Sequence, residues 1–166
     1  MRRNRVLRKR AIYYITATIN RDKPELEEPW TKEMLLTVLK KAKKKFKFSL
    51  VNFVFLYTHI HLVIKPKKDE NLSRIMQWVL GTFAVRYNKR LKIRGKVWFD
   101  RFKSEIVEKI EDFVRDFQRV NDNLVKNKLT EKIKEYIYCG MYYHNKRDYQ
   151  FMDELPLLLD FLITAG

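Results

Sequence analysis

The chain has 166 residues, and its composition and charge restrict the kind of protein it can be. Hydrophobic residues make up 46%, which excludes a disordered chain, and the length suits one domain with a substantial core. Lys and Arg total 36 against 20 Asp and Glu, so the net charge of +16 indicates an anionic partner, either a nucleic acid or a membrane surface. No apolar run is long enough to span a bilayer, and the single cysteine, Cys139, excludes an internal disulfide and fits a reducing cytoplasm.

The first half of the chain predicts a strand, a helix and two further strands. Residues 1–10 hold six basic side chains and form either a solvated tail or an arm that contacts phosphates. Residues 11–19 predict a strand, and after a polar loop at 21–29, Thr31 is expected to cap a helix that runs to about Lys45. Residues 48–57 and 59–65 predict two strands, joined by a tight bend near Thr58 or by an earlier break near Asn52.

The second half predicts two amphipathic helices around another strand, followed by an aromatic and basic extension. Residues 72–91 and 108–124 have apolar side chains at helical spacing, Ile110 and Phe113 among them, and residues 102–107 predict a strand between the helices. Residues 131–149 are aromatic and basic, and residues 151–163 predict a last short helix. This order predicts an α+β fold, a ferredoxin-like βαββαβ sandwich with an antiparallel sheet plus C-terminal helices. We expect a single domain over 1–166, with its core at about 10–126 and an extension at 127–166.

Two of the three histidines lie in the most apolar stretch of the chain, residues 53–64. Because side chains alternate along a strand, His59 and His61 project to the same side of the predicted sheet. Neutral imidazoles bind divalent metal ions near physiological pH. The pattern therefore predicts a metal site, with histidines that only line the solvent face of a sheet as the alternative.

Four motifs, in order, resemble those of the single-tyrosine HUH transposases, and most closely those of the REP-associated tyrosine transposases. Residues 56–64, LYTHIHLVI, look like the family's strand with a histidine pair. Residues 75–78 and 87–90 resemble its long helix ending in Tyr-Asn-x-Arg. Residues 95–104, GKVWFDRFKS, are similar to its Gly-x-x-Trp-x-x-Arg-Phe segment, and residues 123–126, NLVK, resemble its Asn-Pro-Val-Arg/Lys box.

The resemblance implies a metal-dependent DNA strand-transferase. His59 and His61 match the family's metal-binding and catalytic histidines and Asn123 matches its third, polar ligand, so the expected cofactor is a divalent metal, Mg²⁺ or Mn²⁺. In the family, the metal polarises a phosphate of single-stranded DNA, and a tyrosine four residues before the polar ligand attacks phosphorus. That position in this chain is Arg119, and a guanidinium is not an oxygen nucleophile, so the nucleophile is unknown.

Three interpretations of this substitution stay open. In the first, the nucleophile comes from the extension, whose tyrosines otherwise serve in packing and base stacking: Tyr136, Tyr138, Tyr142 and Tyr143. In the second, the chain has lost cleavage and Arg119 grips a DNA phosphate. In the third, the register of the last helix differs, and Asn121 or Asp122 faces the metal instead of Asn123, because Asn121 and Asn123 point in different directions on a helix.

Basic residues beside these motifs are the expected nucleic-acid contacts, together with Arg119. Arg101 and Lys103 are predicted to contact phosphates, with a solvated strand edge as the alternative. A second concentration of charge, at the end of the 72–91 helix and in the loop after it, is expected to hold the backbone of a DNA hairpin: Arg86, Lys89, Arg90, Lys92, Arg94 and Lys96.

The predicted function is that of a transposase-like protein that acts on single-stranded or hairpin DNA by metal-assisted strand cleavage and transfer. One alternative is a cleavage-deficient DNA- or RNA-binding protein derived from the same scaffold, and another is a basic scaffold protein at a membrane surface. DNA is the expected partner, with no membrane partner, and a homodimer is a further expectation. The expected location is the cytoplasm, in association with a bacterial-type nucleoid.

Overall fold

The computed structural model describes residues 7–19, 26–67 and 69–155 of the chain. Most of the basic segment 1–10, most of the loop at 21–29 and the greater part of the predicted last helix, from residue 156 onward, lie outside the described residues. The structure has the following strands and α-helices: β1 (Ile12–Thr18), α1 (Pro29–Lys45), β2 (Phe48–Phe55), β3 (His59–Pro66), α2 (Leu72–Leu91), β4 (Lys103–Val107), α3 (Ile110–Lys126) and α4 (Gly140–Lys146).

The four strands form one antiparallel sheet in the order β2-β3-β1-β4. This is the strand order of the βαββαβ sandwich, so the predicted ferredoxin-like α+β fold is confirmed. Helices α1 and α2 cover one face of the sheet, where Leu39 and Phe83 belong to the same core cluster as Ile15 and Leu62. Helix α3 covers the other face, where Phe117 shares a second core cluster with neighbouring strand residues.

Local sequence explains where two of the helices begin. The side chain of Asn71 accepts a hydrogen bond from the backbone N–H of Arg74 and so caps α2. Helix α3 carries Glu111 and Asp112 in its first turn, where the helix dipole favours negative charge. The predicted cap at Thr31 is wrong, because α1 begins earlier, at Pro29, and the Thr31 hydroxyl instead donates to the carbonyl of Glu28.

The apolar stripe of α3 differs from the prediction at its first residue. Phe113, Phe117, Val120 and Leu124 are buried against the sheet, as their spacing requires. Ile110 is 56% exposed, so its predicted place in the stripe is wrong. It is the first residue of the helix, directly after the turn from β4, and lies outside the contact with the sheet.

Strands β2 and β3 are joined at the predicted bend, and the backbone N–H of Leu56 donates to the carbonyl of His59 across it. The other predicted position, near Asn52, is a register shift within the β2–β3 pairing. The described part of the extension lies against the outer edge of β2, where the N–H of Phe55 donates to the carbonyl of Tyr138 and Val54 pairs with Cys139. This contact partly covers an edge strand that would otherwise present unpaired backbone groups.

Among the helices in the described ranges, none is both long enough and apolar enough to cross a bilayer.

Candidate functional site

Strand pairing places the two histidines together on the face of the sheet that α3 partly covers. His61 lies opposite Thr16 of β1, and His59 lies opposite Thr18. The two imidazole rings are nearly perpendicular, with centroids 4.9 Å apart. His59 is partly exposed, whereas His61 is 6% exposed. We call this side of the sheet the histidine face.

Hydroxyl groups of β1 hold the ring of His61. Its Nδ1 lies 2.9 Å from the hydroxyl of Tyr14 and 3.0 Å from Oγ1 of Thr16. Its Nε2 is buried and has no hydrogen-bond partner among the described residues. Since a hydroxyl group both donates and accepts, the two neighbours of Nδ1 accommodate either neutral tautomer of His61. Nδ1 of His59 lies 3.0 Å from Oγ1 of Thr58.

Burial keeps these ionisable groups in their neutral forms. Burial lowers the pKa of His59. Burial is also the main reason that the pKa of His61 is lowered to about 3, and the positive charges of His59 and Arg119 contribute to the same shift. Burial also raises the pKa of Tyr14 to about 12, although the nearby charge of Arg119 opposes that shift. At neutral pH the face therefore presents two uncharged imidazoles and a protonated phenol.

Helix α3 brings a permanent cation to the histidine face. Cζ of Arg119 lies 4.7 Å from the ring centroid of Tyr14, and that ring stacks on His61 with centroids 5.5 Å apart. Nη1 of Arg119 is 3.8 Å from Oε2 of Glu105, the β4 residue opposite Tyr14. The Arg119 side chain is 50% exposed, so it is accessible to a ligand from solvent.

The other predicted DNA contacts divide between the two faces of the sheet. Lys103 is exposed and lies opposite Thr16, which puts it on the histidine face in the same row as His61. Arg101 is exposed just before β4. Arg90 lies on the opposite side, where its guanidinium is 4.4 Å from the ring centroid of Trp30 at the start of α1. Arg94 is exposed in the loop between α2 and β4.

Two of the three α3 residues considered as the third ligand, Asn121 and Asn123, make hydrogen bonds with other groups. Nδ2 of Asn123 donates to the carbonyl of Arg119 in its own helix at 2.7 Å. Oδ1 of Asn121 accepts a hydrogen bond from Nδ2 of Asn52 on β2, and Asp122 is exposed. Within the described ranges, no cluster of three or more His, Cys, Asp or Glu side chains is arranged to hold a metal ion.

The described donor set therefore fits Mg²⁺ or Mn²⁺ poorly, because these ions prefer oxygen ligands. His59 and His61 offer two neutral nitrogen ligands, and the unpartnered Nε2 of His61 is suited to coordination. Mg²⁺, however, is bound mainly through carboxylate and other oxygen ligands. The positive charge of Arg119 acts on His61 and repels a cation.

Three of the four tyrosines considered as nucleophiles make contacts away from the histidines. The Tyr136 hydroxyl donates to the carbonyl of Phe55, and the Tyr138 hydroxyl lies 3.5 Å from the carbonyl of Pro29. Tyr143 packs on Phe53 in the core under α1 and α2. Tyr142 is partly buried beside Tyr143.

Sequence reasoning missed Tyr14, Thr16 and Glu105 as members of the site. The alternation of β1 was sufficient to place Tyr14 and Thr16 on one face. Tyr14 and Thr16 share their face of the sheet with His61 because of the register between β1 and β3, and the sequence does not specify that register.

Comparison with known proteins gives the same assignment by a separate route. A family model described as "Transposase IS200 like" matches residues 8–117, which is more than half of the chain. No curated protein matches the chain. Among solved structures, the fold is similar to that of a REP-associated tyrosine transposase bound to a REP hairpin. That match has a TM-score of 0.75 and 16% sequence identity, and it covers 94% of this chain and 99% of the other.

A second solved structure is that of a protein from Deinococcus radiodurans R1 described as a transposase. It matches with a TM-score of 0.52 and 15% identity, covering 74% of this chain and 97% of the other. At such identities the similarity concerns the fold, whereas the family rests on the sequence model. The family predicted from the four motifs is confirmed.

Proposed function

This chain belongs to the family of IS200-like transposases, and from that membership we propose that it binds single-stranded or hairpin DNA on the histidine face. The REP-associated tyrosine transposase of similar fold was solved bound to a REP hairpin, which supports hairpin DNA as the partner. The net charge of +16 supports the same class of ligand, because phosphate contacts dominate the affinity of proteins for DNA.

The observation that carries this proposal is the position of Arg119. Its guanidinium lies over Tyr14 beside the histidine pair, and half of its side chain is exposed. A guanidinium forms paired, charge-assisted hydrogen bonds with a phosphate, which suits it to binding a DNA backbone. Lys103, in the same row as His61, adds a second exposed cation.

Binding without cleavage is the function that the geometry supports best. Strand cleavage through a phosphotyrosine requires an accessible phenol next to the bound phosphate. The described tyrosine within hydrogen-bond distance of a histidine of the pair is Tyr14, which is 2% exposed and has a raised pKa. At the α3 position where the family resemblance implies a tyrosine, this chain has Arg119.

Metal-assisted cleavage and strand transfer, with Mg²⁺ or Mn²⁺, is the second candidate. The family membership and the two neutral imidazoles of His59 and His61 favour it. The two candidates differ in their product: cleavage leaves a covalent protein–DNA adduct, and binding leaves none.

Fluorescence anisotropy with a labelled hairpin and a labelled single strand tests the proposed binding. We expect affinity for both to fall steeply with rising salt, because each phosphate contact releases counterions. Lys103→Ala should weaken binding, whereas Arg74→Ala should not. Arg74 is a matched control, because it is an exposed arginine at the start of α2 on the opposite face. If the two variants bind with equal affinity, the DNA binds elsewhere on the protein. If an RNA hairpin binds more tightly than the DNA hairpin, the ligand is RNA and not DNA.

Denaturing gel electrophoresis after incubation with Mg²⁺ or Mn²⁺ distinguishes the two candidates. We expect no band of covalent adduct with hairpin or single-stranded DNA. An adduct that is lost in His59→Ala would establish cleavage, and mass spectrometry of the digested adduct would identify the tyrosine that carries the DNA. Homodimer formation and association with the nucleoid stay predictions.

A further inference from the structure

The histidine face carries a cation beside the imidazole pair, because Arg119 lies over Tyr14 and that ring stacks on His61. The carboxylates that act on Tyr14 are already paired with cations, Glu105 with Arg119 and Asp116 with Arg115. Arg119 adds a positive charge that is independent of pH in the physiological range. A divalent ion beside this pair would gain two nitrogen ligands and meet the repulsion of the guanidinium.

The guanidinium lies where a phosphate can reach it. Its Cζ is 4.7 Å from the ring centroid of Tyr14, within the range of a cation–π contact, and half of the Arg119 side chain is exposed. The N–H donors of arginine point outward in the plane of the group and can bind a phosphate at that edge through two hydrogen bonds. Tyr14 is 2% exposed and hydrogen-bonded to His61, so it is a fixed support.

The contact that occupies this edge in the absence of DNA is weak. Nη1 of Arg119 and Oε2 of Glu105 are 3.8 Å apart, which is longer than a hydrogen bond, and both side chains are at least half exposed. Exposed ion pairs of this kind contribute little to stability. A phosphate therefore displaces Glu105 from Arg119 at small cost.

We propose that Arg119 takes the place of the divalent metal at this site, so that the histidine face binds a DNA phosphate without any metal ion. This inference rests on the proposed function, because it takes a DNA phosphate to be the ligand. The positive charge next to the phosphate then comes from the protein and not from a metal ion. Tyr14 positions the guanidinium, and Lys103 contacts an adjoining phosphate.

The first test compares DNA binding with and without divalent metal. Anisotropy with a labelled hairpin is measured in EDTA and in Mg²⁺ or Mn²⁺ at matched ionic strength. We expect the protein to bind no more tightly with either metal than with the chelator. Binding that requires metal would overturn the inference and leave the proposed function intact, whereas no binding of hairpin or single strand in either buffer would overturn the proposed function.

The second test removes the guanidinium. Arg119→Ala should weaken hairpin binding about ten- to a hundredfold in EDTA, the range for loss of a charge-assisted contact. Added metal should not restore the affinity. The affinity of Arg119→Lys should lie between those of the wild-type protein and Arg119→Ala, because lysine keeps the charge but cannot bind a phosphate in a bidentate manner. Arg74→Ala controls for the change in net charge, and circular dichroism checks that each variant is folded. Wild-type affinity in Arg119→Ala would overturn the inference.

The third test uses the DNA-free protein, so its outcome is independent of the proposed function. Titration of the protein with Mn²⁺, followed by electron paramagnetic resonance, reports bound metal directly. We expect no specific Mn²⁺ binding to the wild-type protein. Specific binding that disappears in a variant with both His59→Ala and His61→Ala would show that the pair holds a metal beside Arg119, and would overturn the inference.

Discussion

Asn52 connects α3 to the sheet, and its replacement by alanine should destabilise the protein strongly. The residue is fully buried at the register shift of β2. Its Nδ2 donates to the carbonyl of Phe117 and to Oδ1 of Asn121, both on α3 at 3.2 Å, and its Oδ1 accepts from the N–H of Phe53 at 2.9 Å. One side chain thus connects a strand edge with the helix that carries Arg119.

The expected cost follows from the groups left behind. In Asn52→Ala the buried N–H of Phe53 loses the acceptor that the side chain provides, which costs about 1–3 kcal/mol for an unsatisfied group. The cavity left by the missing amide adds roughly 1 kcal/mol. The carbonyl of Phe117 lies inside α3, where helical carbonyls already accept a backbone hydrogen bond, so it contributes little. We expect the free energy of unfolding to fall by about 2–4 kcal/mol.

Urea denaturation of the two proteins, followed by circular dichroism, measures this difference. Asn127→Ala is a matched control, because Asn127 is exposed at the end of α3 and donates to a carbonyl of its own helix. The control should change the free energy of unfolding by no more than about 0.5 kcal/mol, as for most surface substitutions. If Asn52→Ala were as stable as the control, the hydrogen bonds of Asn52 would not hold α3 in place.

Further predictions concern packing and burial at four other residues. Gly140→Ala should lower the free energy of unfolding by about 1–3 kcal/mol, because an added Cβ would lie 2.2 Å from Oδ1 of Asn52. The loss should be smaller when Asn52 is already replaced by alanine, and equal losses in the two backgrounds would refute that contact. Cys139 should react slowly with iodoacetamide at pH 8, because burial raises its pKa to about 11 and leaves about one thiol in a thousand as the thiolate. Unfolding the protein in denaturant should restore the ordinary reaction rate of a cysteine. Fast reaction of the native protein would contradict this. Ile110→Ser should leave the free energy of unfolding almost unchanged, because Ile110 is exposed. Val120→Ala, at a fully buried position, should lower it by more than about 1 kcal/mol. A larger loss in Ile110→Ser than in Val120→Ala would contradict the packing of α3.

The sequence predicted the elements that depend on local pattern. Helix α2 matches its predicted bounds because its apolar periodicity continues over twenty residues, and the structure adds a cap at Asn71 that the sequence analysis did not predict. The sequence left the bend between β2 and β3 open between Thr58 and Asn52, and the structure places it at Thr58. Ile110 was assigned to the wrong side because periodicity identifies a stripe and does not show where the contact with the sheet begins.

The site was less predictable, because it depends on pairing between distant segments. His59 and His61 share a face through alternation alone, which the sequence shows. The contact of Tyr14 with His61 joins residues 47 positions apart and requires the β1–β3 register. Arg90 belongs by sequence to the same basic group as Arg94, yet α2 carries it to the opposite side of the sheet, beside Trp30.

Hydrogen-exchange mass spectrometry of the protein with and without a DNA hairpin shows whether the DNA binds to the histidine face. Binding there should slow exchange in β4 and in the part of α3 around Arg119, with no change at the α1–α2 surface around Trp30. Protection confined to the α1–α2 surface, with α3 and β4 unaffected, would contradict it.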